Sequence, residues 1–567
     1  MTHRIQFQLA VWPALIGLCC QASAAPAPAP TTPPAIGDLL HQAQPVAQPP
    51  AKAPPPSVDG LASVEAPLQS LPGNQPTLEV LDFQFTGNAV IDTATLHHVV
   101  ADAIGKPLTL AQLHEVATRI TRLYRDAGYF VARAYVPAQE LVGGVVTIRV
   151  IEGHYGDFIL DHHGRLQRQT AQDILDAVKD RDIVSVDTLE RAMLVLNDTP
   201  GVHVTQVSVS PGQKVGTSDF NVATEATPPF AGVVSLDNYG SVYTGKNRLS
   251  FSGAWDAPTQ TGDRLDIFVM TTQHGGLDSG RLGYWHLLTP TGLRGQLALS
   301  RTTYDLGNTY SSLDAIGHAN AVEGELTYPI VLTETHRLTG NVGASYNDLV
   351  DEVRSTGVRT PKKLEVVHVG VEYASVAPEV STQAGASLTV GHLGFHDPVA
   401  DAQDAAGADS QGNFKKLGAH LERRQALPGD LDLDVRVRAR AQLGNKSLDG
   451  SQKLEVSGAD GVIVYAPGEL LGDTTIIGHL GLSRSFAVGE GVKLAPGVFL
   501  DEGWAHNHYA VAGTASSRTL GDVGLGLSAA YRSVTLQVQW ASRTAGGKAV
   551  AEPTSRARVL VQLSAAF

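Results

Sequence analysis

The sequence predicts a transmembrane β-barrel of about sixteen antiparallel strands preceded by two small α+β modules. Three observations carry that expectation. From residue 229 to Phe567 the chain alternates apolar and polar side chains with a period of two. Upstream, the order strand, helix, helix, strand, strand occurs twice, at a spacing of roughly 75 residues. Beyond the extreme N-terminus no stretch approaches the ~18 uninterrupted apolar residues of a spanning helix, so any span has to be β.

Composition agrees. A chain of 567 residues holds about three units of ~100–200 residues, unless one of them is a large barrel. With 17% charged and 43% hydrophobic residues and 58 Gly, it is too apolar for a disordered chain and too evenly polar for a helical membrane bundle. A net charge of −14 leaves no basic face for nucleic acid, so no nucleic-acid partner is expected.

At the start, Arg4, the apolar run Leu9 to Cys20 and the small residues Ala22-Ser23-Ala24 read as a secretory signal peptide over residues 1–24. Both cysteines, Cys19 and Cys20, fall inside it. The mature chain then lacks a thiol, which excludes disulfides, thiolate metal sites and cysteine nucleophiles. Residues 25–77 are a Pro/Ala-rich linker. One island, residues 35–44, lacks proline and spaces Ile36, Leu39, Leu40 and Ala43 as one face of a short helix. It is either a tethered amphipathic helix or a fluctuation within a flexible tail.

The first module is expected over residues 78–153. Leu78 to Phe85 alternates as a strand, Gly87-Asn88 turns, and Asp92 caps a helix to Ile104. Thr109 caps a second helix, with Leu113, Val116, Ile120 and Leu123 on one face and Gly128 at its end. Strands Tyr129 to Val136 and Val145 to Ile151 follow. The first of them turns Phe130, Ala132, Ala134 and Val136 toward the helices and leaves Tyr129, Val131, Arg133 and Tyr135 outward. The second module, residues 154–226, repeats the order more weakly. It has a strand at Phe158 to Asp161, helices at Thr170 to Val178 and Val186 to Asn197 (capped by Ser185), and strands at His203 to Val209 and Asp219 to Thr224.

From residue 229 to 567 about sixteen strands can be counted, the first at 231–238 and the last at 555–567. Alternation alone also fits a soluble sandwich. Between Leu431 and Leu443, however, Arg436, Arg438 and Arg440 share one face, which suits a water-filled lumen. Short turns such as Pro290-Thr291-Gly292, Pro428-Gly429-Asp430 and Val488-Gly489-Glu490-Gly491 alternate with longer polar loops, the pattern of periplasmic turns and extracellular loops. Phe567 closes a strand carrying Val559, Val561, Leu563 and Ala565. Such an ending resembles the outer-membrane insertion signal of Gram-negative bacteria.

Enzyme signatures fail. His114-Glu115 begins a zincin-like motif, but Thr118 stands where the second histidine must be. No Gly-x-Ser-x-Gly elbow or phosphate-cradling loop is found, and His162-His163 has no third ligand nearby. No catalytic residue, metal site or cofactor is expected.

The run Gly105 to Gln139, with Ile148, Val150, Glu152 and Gly153, resembles the first POTRA module of two-partner secretion transporters of the haemolysin secretion/activation type. Leu236-Asp237-Asn238-Tyr239-Gly240-Ser241, with Thr244-Gly245 and Arg248, resembles the opening hairpin of that family's barrel. The resemblance implies two periplasmic POTRA modules, a sixteen-stranded pore and a plug helix, for which residues 35–44 are the candidate. It implies an outer-membrane protein of a Gram-negative bacterium that moves an unfolded, haemolysin- or adhesin-like exoprotein, bearing an N-terminal secretion domain, to the cell surface. Outer-membrane lipid is the other partner, and a monomer is expected. The alternatives are a barrel-assembly insertase, which would carry more POTRA modules, and a passive porin, which would carry none.

The resemblance also supplies candidate sites. On the first module, Tyr129, Arg133, Tyr135 and Gln139 are candidate substrate contacts, through a sheet face or edge that accepts an extended chain. In the pore, the family's sixth extracellular loop folds inward with a Val-Arg-Gly/Ala-Tyr tetrad, and its arginine pairs with the Asp of a Phe-x-Asp-x-Gly strand. Here the tetrad reads Val462-Ile463-Val464-Tyr465, followed by Gly468-Glu469 and Gly472-Asp473, and the strand motif is intact as Phe499, Asp501 and Gly503. Ile463 replaces the arginine. Either another basic residue such as Arg484 serves Asp501, or the transporter is divergent or weakened. A loop that stays inside is expected to rest Tyr465, Glu469 and Asp473 against lumen arginines such as Arg436 and Arg438.

Overall fold

A computed structural model describes residues 33–44, 77–429, 432–510, 515–552 and 555–567. The expected signal peptide and most of the expected linker lie outside the described residues.

In the first module, Asp82–Thr86 runs parallel to Val145–Ile151, which pairs antiparallel with Arg133–Tyr135. Helices Thr93–Val100 and Leu110–Asp126 pack on this sheet. Asp92 caps the first through the Thr95 amide at 2.8 Å. Thr109 and Gln112 form a reciprocal capping box on the second. Phe83, Leu96, Ile120, Tyr124 and Ile148 make the core. Glu152, buried at the end of the sheet, accepts bonds from the Ala89 and Val90 amides and the Tyr124 hydroxyl at 2.7–2.8 Å. Burial, and next that carboxylate, push the Tyr124 hydroxyl above its ordinary titration range.

Two expectations for this module need correction. Leu78 to Phe85 is not one strand: Leu78–Val80 pairs with Lys106–Leu108 in a separate two-stranded sheet, and Asp82–Thr86 joins the main one. Val80 and Phe83 are both buried, so the inward face slips by one residue at Leu81 and the ladder breaks there. The strand expected from Tyr129 is confined to Arg133–Tyr135. Residues 129–132 are a turn because Phe130 drops into the core of the second module, not its own.

The second module has the same order. His154–His163 runs parallel to Thr217–Glu225, which pairs antiparallel with His203–Pro211. Helices Arg168–Asp176 and Val186–Asn197 cover one face, the latter capped by Ser185. Its core takes in Leu287 and Leu332 from the barrel rim. Arg191 donates to the Pro329 and Thr291 carbonyls at 2.6 and 3.3 Å, and Arg337 pairs with Asp198 at 2.5 Å. The module is therefore fixed to the first periplasmic turns of the barrel.

Sixteen antiparallel strands close the barrel, from Phe230–Asp237 to Ala557–Ala566; the twelfth is interrupted once, as Thr474–Arg484 and Phe486–Val488 along the same neighbour. Ile267, Val269, Val369, Leu388, Leu525 and Val559 are among the exposed apolar residues of the outer face, as a lipid-facing wall requires. The closing ladder is short, from Gln562↔Asp237 to Ala566↔Val233. Main-chain bonds between Phe567 and Gly232 at 2.9 and 3.0 Å extend it, and the Phe567 ring stacks on Phe251. Among the described residues no helix is long and apolar enough to cross a membrane.

Inside the barrel lies the helix Ile36–Leu39 with its 3-10 continuation Leu40–Ala43. Ile36, Leu39 and Ala43 are buried in one cluster with Phe268, Tyr304, Leu349, Leu364, Phe414 and others. Of the two alternatives the sequence leaves open for residues 35–44, the structure has the short helix.

Arg191→Ala is expected to loosen the second module from the rim by about 0.5–1.5 kcal/mol, the range for a partly exposed hydrogen bond. Faster proteolysis between residues 226 and 229, with unchanged heat-modifiable gel mobility of the barrel, checks it.

Candidate functional site

The pairing registers set a continuous row of polar residues across six neighbouring strands: Glu422↔Arg438, Arg438↔His479, His479↔Asp501, Asp501↔Asp522 and Asp522↔Arg543. The row faces the lumen because the alternate residues Leu480, Leu500, Val523 and Leu525 face outward. Asp501 and Asp522 are buried. The His479 Nδ1 lies 2.6 Å from Asp501 Oδ1, and its ring stacks on Phe499. A cavity of about 220 Å³ opens beside the row, lined by His420, Glu422, Arg438, Arg440, His479 and Asp501 among others.

The loop 445–473 descends onto this row. Its arms pair briefly, Leu454–Glu455 with Leu471–Gly472. Its tip, Val462 to Tyr465, is buried against Tyr239, Ile477, Phe499, Leu520 and Leu560. The Val464 amide donates to Asp522 Oδ2 at 2.8 Å. Tyr465 lies between the guanidinium groups of Arg518 and Arg543, 5.7 and 4.8 Å from its ring centre. Its hydroxyl donates to the Ala545 carbonyl at 2.7 Å, and Arg558 donates to its carbonyl at 2.9 Å. Gly468, with φ at 83° where glycine is favoured, donates its amide to Glu455. Glu469 pairs with Arg518 at 2.7 Å and accepts the Val550 and Ala551 amides at 2.8–2.9 Å. Asp473 accepts the Leu448 and His508 amides at 2.9 and 2.8 Å and lies 3.4 Å from Lys453. A Cβ on Gly503 would stand 2.5 Å from Val456 of the loop, so the wall is left bare there for the loop to fit.

The loop is therefore inside, but its partners differ from those expected of an inward loop. Arg436 is paired with Glu422 at 2.7 Å, and Arg438 belongs to the row beside His479. Glu469 and Tyr465 use Arg518 and Arg543 instead, on strands nearer the barrel seam. Arg484 does not serve Asp501: it sits five residues beyond His479, about 17 Å by strand rise, in line with the outward-facing Leu480 and Leu482. His479 takes that place.

The inner helix has its own polar seat. The Ile36 amide donates to Asp351 at 2.7 Å, and His41 Nε2 lies 2.9 Å from the Gly450 carbonyl of the loop. Arg248 donates to the Gln42 carbonyl at 2.6 Å while holding Asp237 through two bonds of 2.7 and 3.2 Å. Asp237 accepts the Tyr239 amide at 2.9 Å, and Asn238 exchanges bonds with Val559 and Val561 across the seam.

On the first module, Arg133 is exposed, and Tyr129 and Tyr135 are half-buried. The Gln139 carboxamide bonds both main-chain groups of Thr147 at 2.7–2.8 Å, continuing the ladder after Tyr135. On the outer side of that strand the Ala134 amide is already bound by Thr121 at 2.9 Å.

Residues 216–529 match the haemolysin secretion/activation proteins ShlB/FhaC/HecB, and residues 78–153 match the POTRA domain of ShlB type. The chain belongs to the haemolysin secretion/activation protein family. The heme/hemopexin transporter protein HuxB of Haemophilus influenzae strain 86-028NP is 27% identical over 405 residues, 71% of this chain and 70% of that protein. The outer membrane transporter CdiB of Dickeya dadantii is 26% identical over 235 residues, 40% of this chain and 41% of that one. In fold, CdiB from Escherichia coli superposes with a TM-score of 0.72 at 19% identity, covering 91% of this chain and 94% of that one. As a member of this family the protein is an outer-membrane transporter that exports an exoprotein by two-partner secretion, with its POTRA domain in the periplasm.

Gly503→Val is expected to push Val456 and the loop arm off the wall, at about 1–3 kcal/mol for overpacking, while the barrel still assembles. Greater cleavage within residues 450–470 by protease added outside intact cells checks it.

Proposed function

We propose that the passenger is exported unfolded, captured by the first of two POTRA modules and threaded through the lumen once the inner helix has left it. The observation that carries this reading is a short helix bound inside a barrel whose wall is complete without it. The repeated strand and helix order supports reading residues 154–226 as a second POTRA module, between the POTRA domain and the barrel at 229–567. A haemolysin- or adhesin-like exoprotein with an N-terminal secretion domain is the cargo, and a monomer in outer-membrane lipid is the working unit.

Capture uses the face of Arg133 and Tyr135, with Gln139 holding the strand in register; Tyr129, expected on that face, lies in the turn before the strand and packs edge-on against Tyr124. A face suits this better than the edge, because the Ala134 amide already has a partner. In the pore, Tyr465, Gly468, Glu469 and Asp473 keep the loop against the wall formed by Phe499, Asp501 and Gly503, so that it lines the path of the passenger. Folding of the passenger outside biases the movement.

Deleting the gene should remove one large protein from the culture supernatant; an unchanged supernatant contradicts the reading. Removing residues 33–44 should raise single-channel conductance in planar bilayers, and equal conductance shows that the helix does not obstruct the pore. Exchanging Arg133 and Tyr135 for Ala in the full-length transporter should weaken passenger binding about ten-fold, the scale for two interface anchors, with barrel insertion unchanged.

A further inference from the structure

We infer that His479 is a positioning residue for the inward loop: its ring holds Asp501 and thereby keeps Asp522 available to the loop-tip amide. The inference rests on the proposed part of this loop in transport, and deepens it.

Asp501 and Asp522 stand opposite each other on neighbouring strands, 2% and 0% exposed. Like charges directly opposite across a ladder are destabilising, and buried carboxylates need donors. Asp501 has the His479 ring at 2.6 Å. Asp522 has the Val464 amide at 2.8 Å on one oxygen, and its other oxygen is buried without a hydrogen-bond partner among the described residues. The loop tip contributes no cation here, since Ile463 is buried among apolar side chains.

The neighbouring arginines have partners besides the two carboxylates. Arg436 bonds Glu422, Arg440 donates to the Asp460 carbonyl of the loop, and Arg543 lies over the Tyr465 ring. Arg438, opposite His479 in the ladder, lines the same cavity as Asp501 and adds a positive charge near it, while the hydrogen bond to that carboxylate comes from His479. The imidazole is held in place by Phe499, which stacks on it at 6.0 Å. Asp501 and Asp522 already approach each other across the ladder; without the His479 ring Asp501 would depend on Asp522 alone, through a shared proton or a common water, and the Asp522 oxygen that receives the loop would be drawn away. The lock for the loop thus sits on the wall, where it stays ordered whether or not the loop is docked.

The test uses full-length transporter carrying Ala466→Cys as a reporter next to the buried tip, with maleimide labelling rate as the readout and heat-modifiable mobility confirming a folded barrel. His479→Ala should raise the rate about ten-fold or more, as expected for loss of one charge-assisted hydrogen bond. His479→Arg should restore protection, because the adjoining cavity has room for the longer side chain, whose guanidinium N–H groups can donate to the same carboxylate. A folded His479→Ala protein labelled at the wild-type rate overturns the inference. If His479→Ala does not fold, Asp501→Asn combined with it decides: the neutral amide removes the repulsion, so protection should return, and a folded but unprotected double variant overturns the inference. Labelling that rises while passenger secretion stays unchanged upholds the positioning role and overturns the part of the loop in transport.

Discussion

A barrel of sixteen strands is too wide for its own side chains to fill. Everything else about this molecule follows from that surplus of space. The wall satisfies its backbone within itself and shows an apolar exterior, so the remaining freedom lies in the interior. Among the described residues two pieces of chain occupy it, the helix at Ile36–Ala43 and the loop at 445–473. Each presents main-chain amides or carbonyls to charged groups of the wall, as at Val464 with Asp522, Ile36 with Asp351 and Gln42 with Arg248. Bonds of that kind hold in a wet interior and leave the inserted backbone satisfied.

The same economy governs the seam. The closing ladder is short, yet Asp237 is bound by Arg248 from the next strand, and Asn238 reaches the main chain of the last strand at Val559 and Val561. One guanidinium group therefore joins the first hairpin to the inner helix, and the Asn238 side chain joins that hairpin to the last strand. On the periplasmic side, Arg191 and Arg337 fasten the second module to the rim in a similar way, with Leu287 and Leu332 completing its core.

Much of this was legible in the sequence. Period-two alternation placed every barrel strand, because one face meets lipid and the other water. Helix caps at Asp92, Thr109 and Ser185 were readable because capping is local chemistry. The errors came where distant packing overrode local pattern. Phe130 follows the alternation of its own strand but is claimed by the neighbouring module, and Leu81 marks a change of sheet that no residue type announces. In the pore, the loop and wall motifs were found, but the charged partners Arg518, Arg543 and His479 were not. His479 had a signal: three residues, 489–491, separate Val488 from Val492, and counting back along that hairpin sets His479 opposite Asp501. Arg518 and Arg543 lie on strands whose register against the loop is fixed only by the closed barrel.

The seat of the inner helix has a thermodynamic character of its own. Each wall group that binds it keeps another partner when it goes: Asp351 retains Tyr304 and Lys362, and Arg248 retains Asp237. The Gly450 carbonyl can turn to water. Vacating the seat therefore strands no buried charge, and the chief penalty is wetting the apolar patch around Ile36 and Leu39, about 1.5–3 kcal/mol for each such side chain. An occupant held on those terms is exchangeable, because its departure leaves the charged groups of the wall paired and the barrel closed.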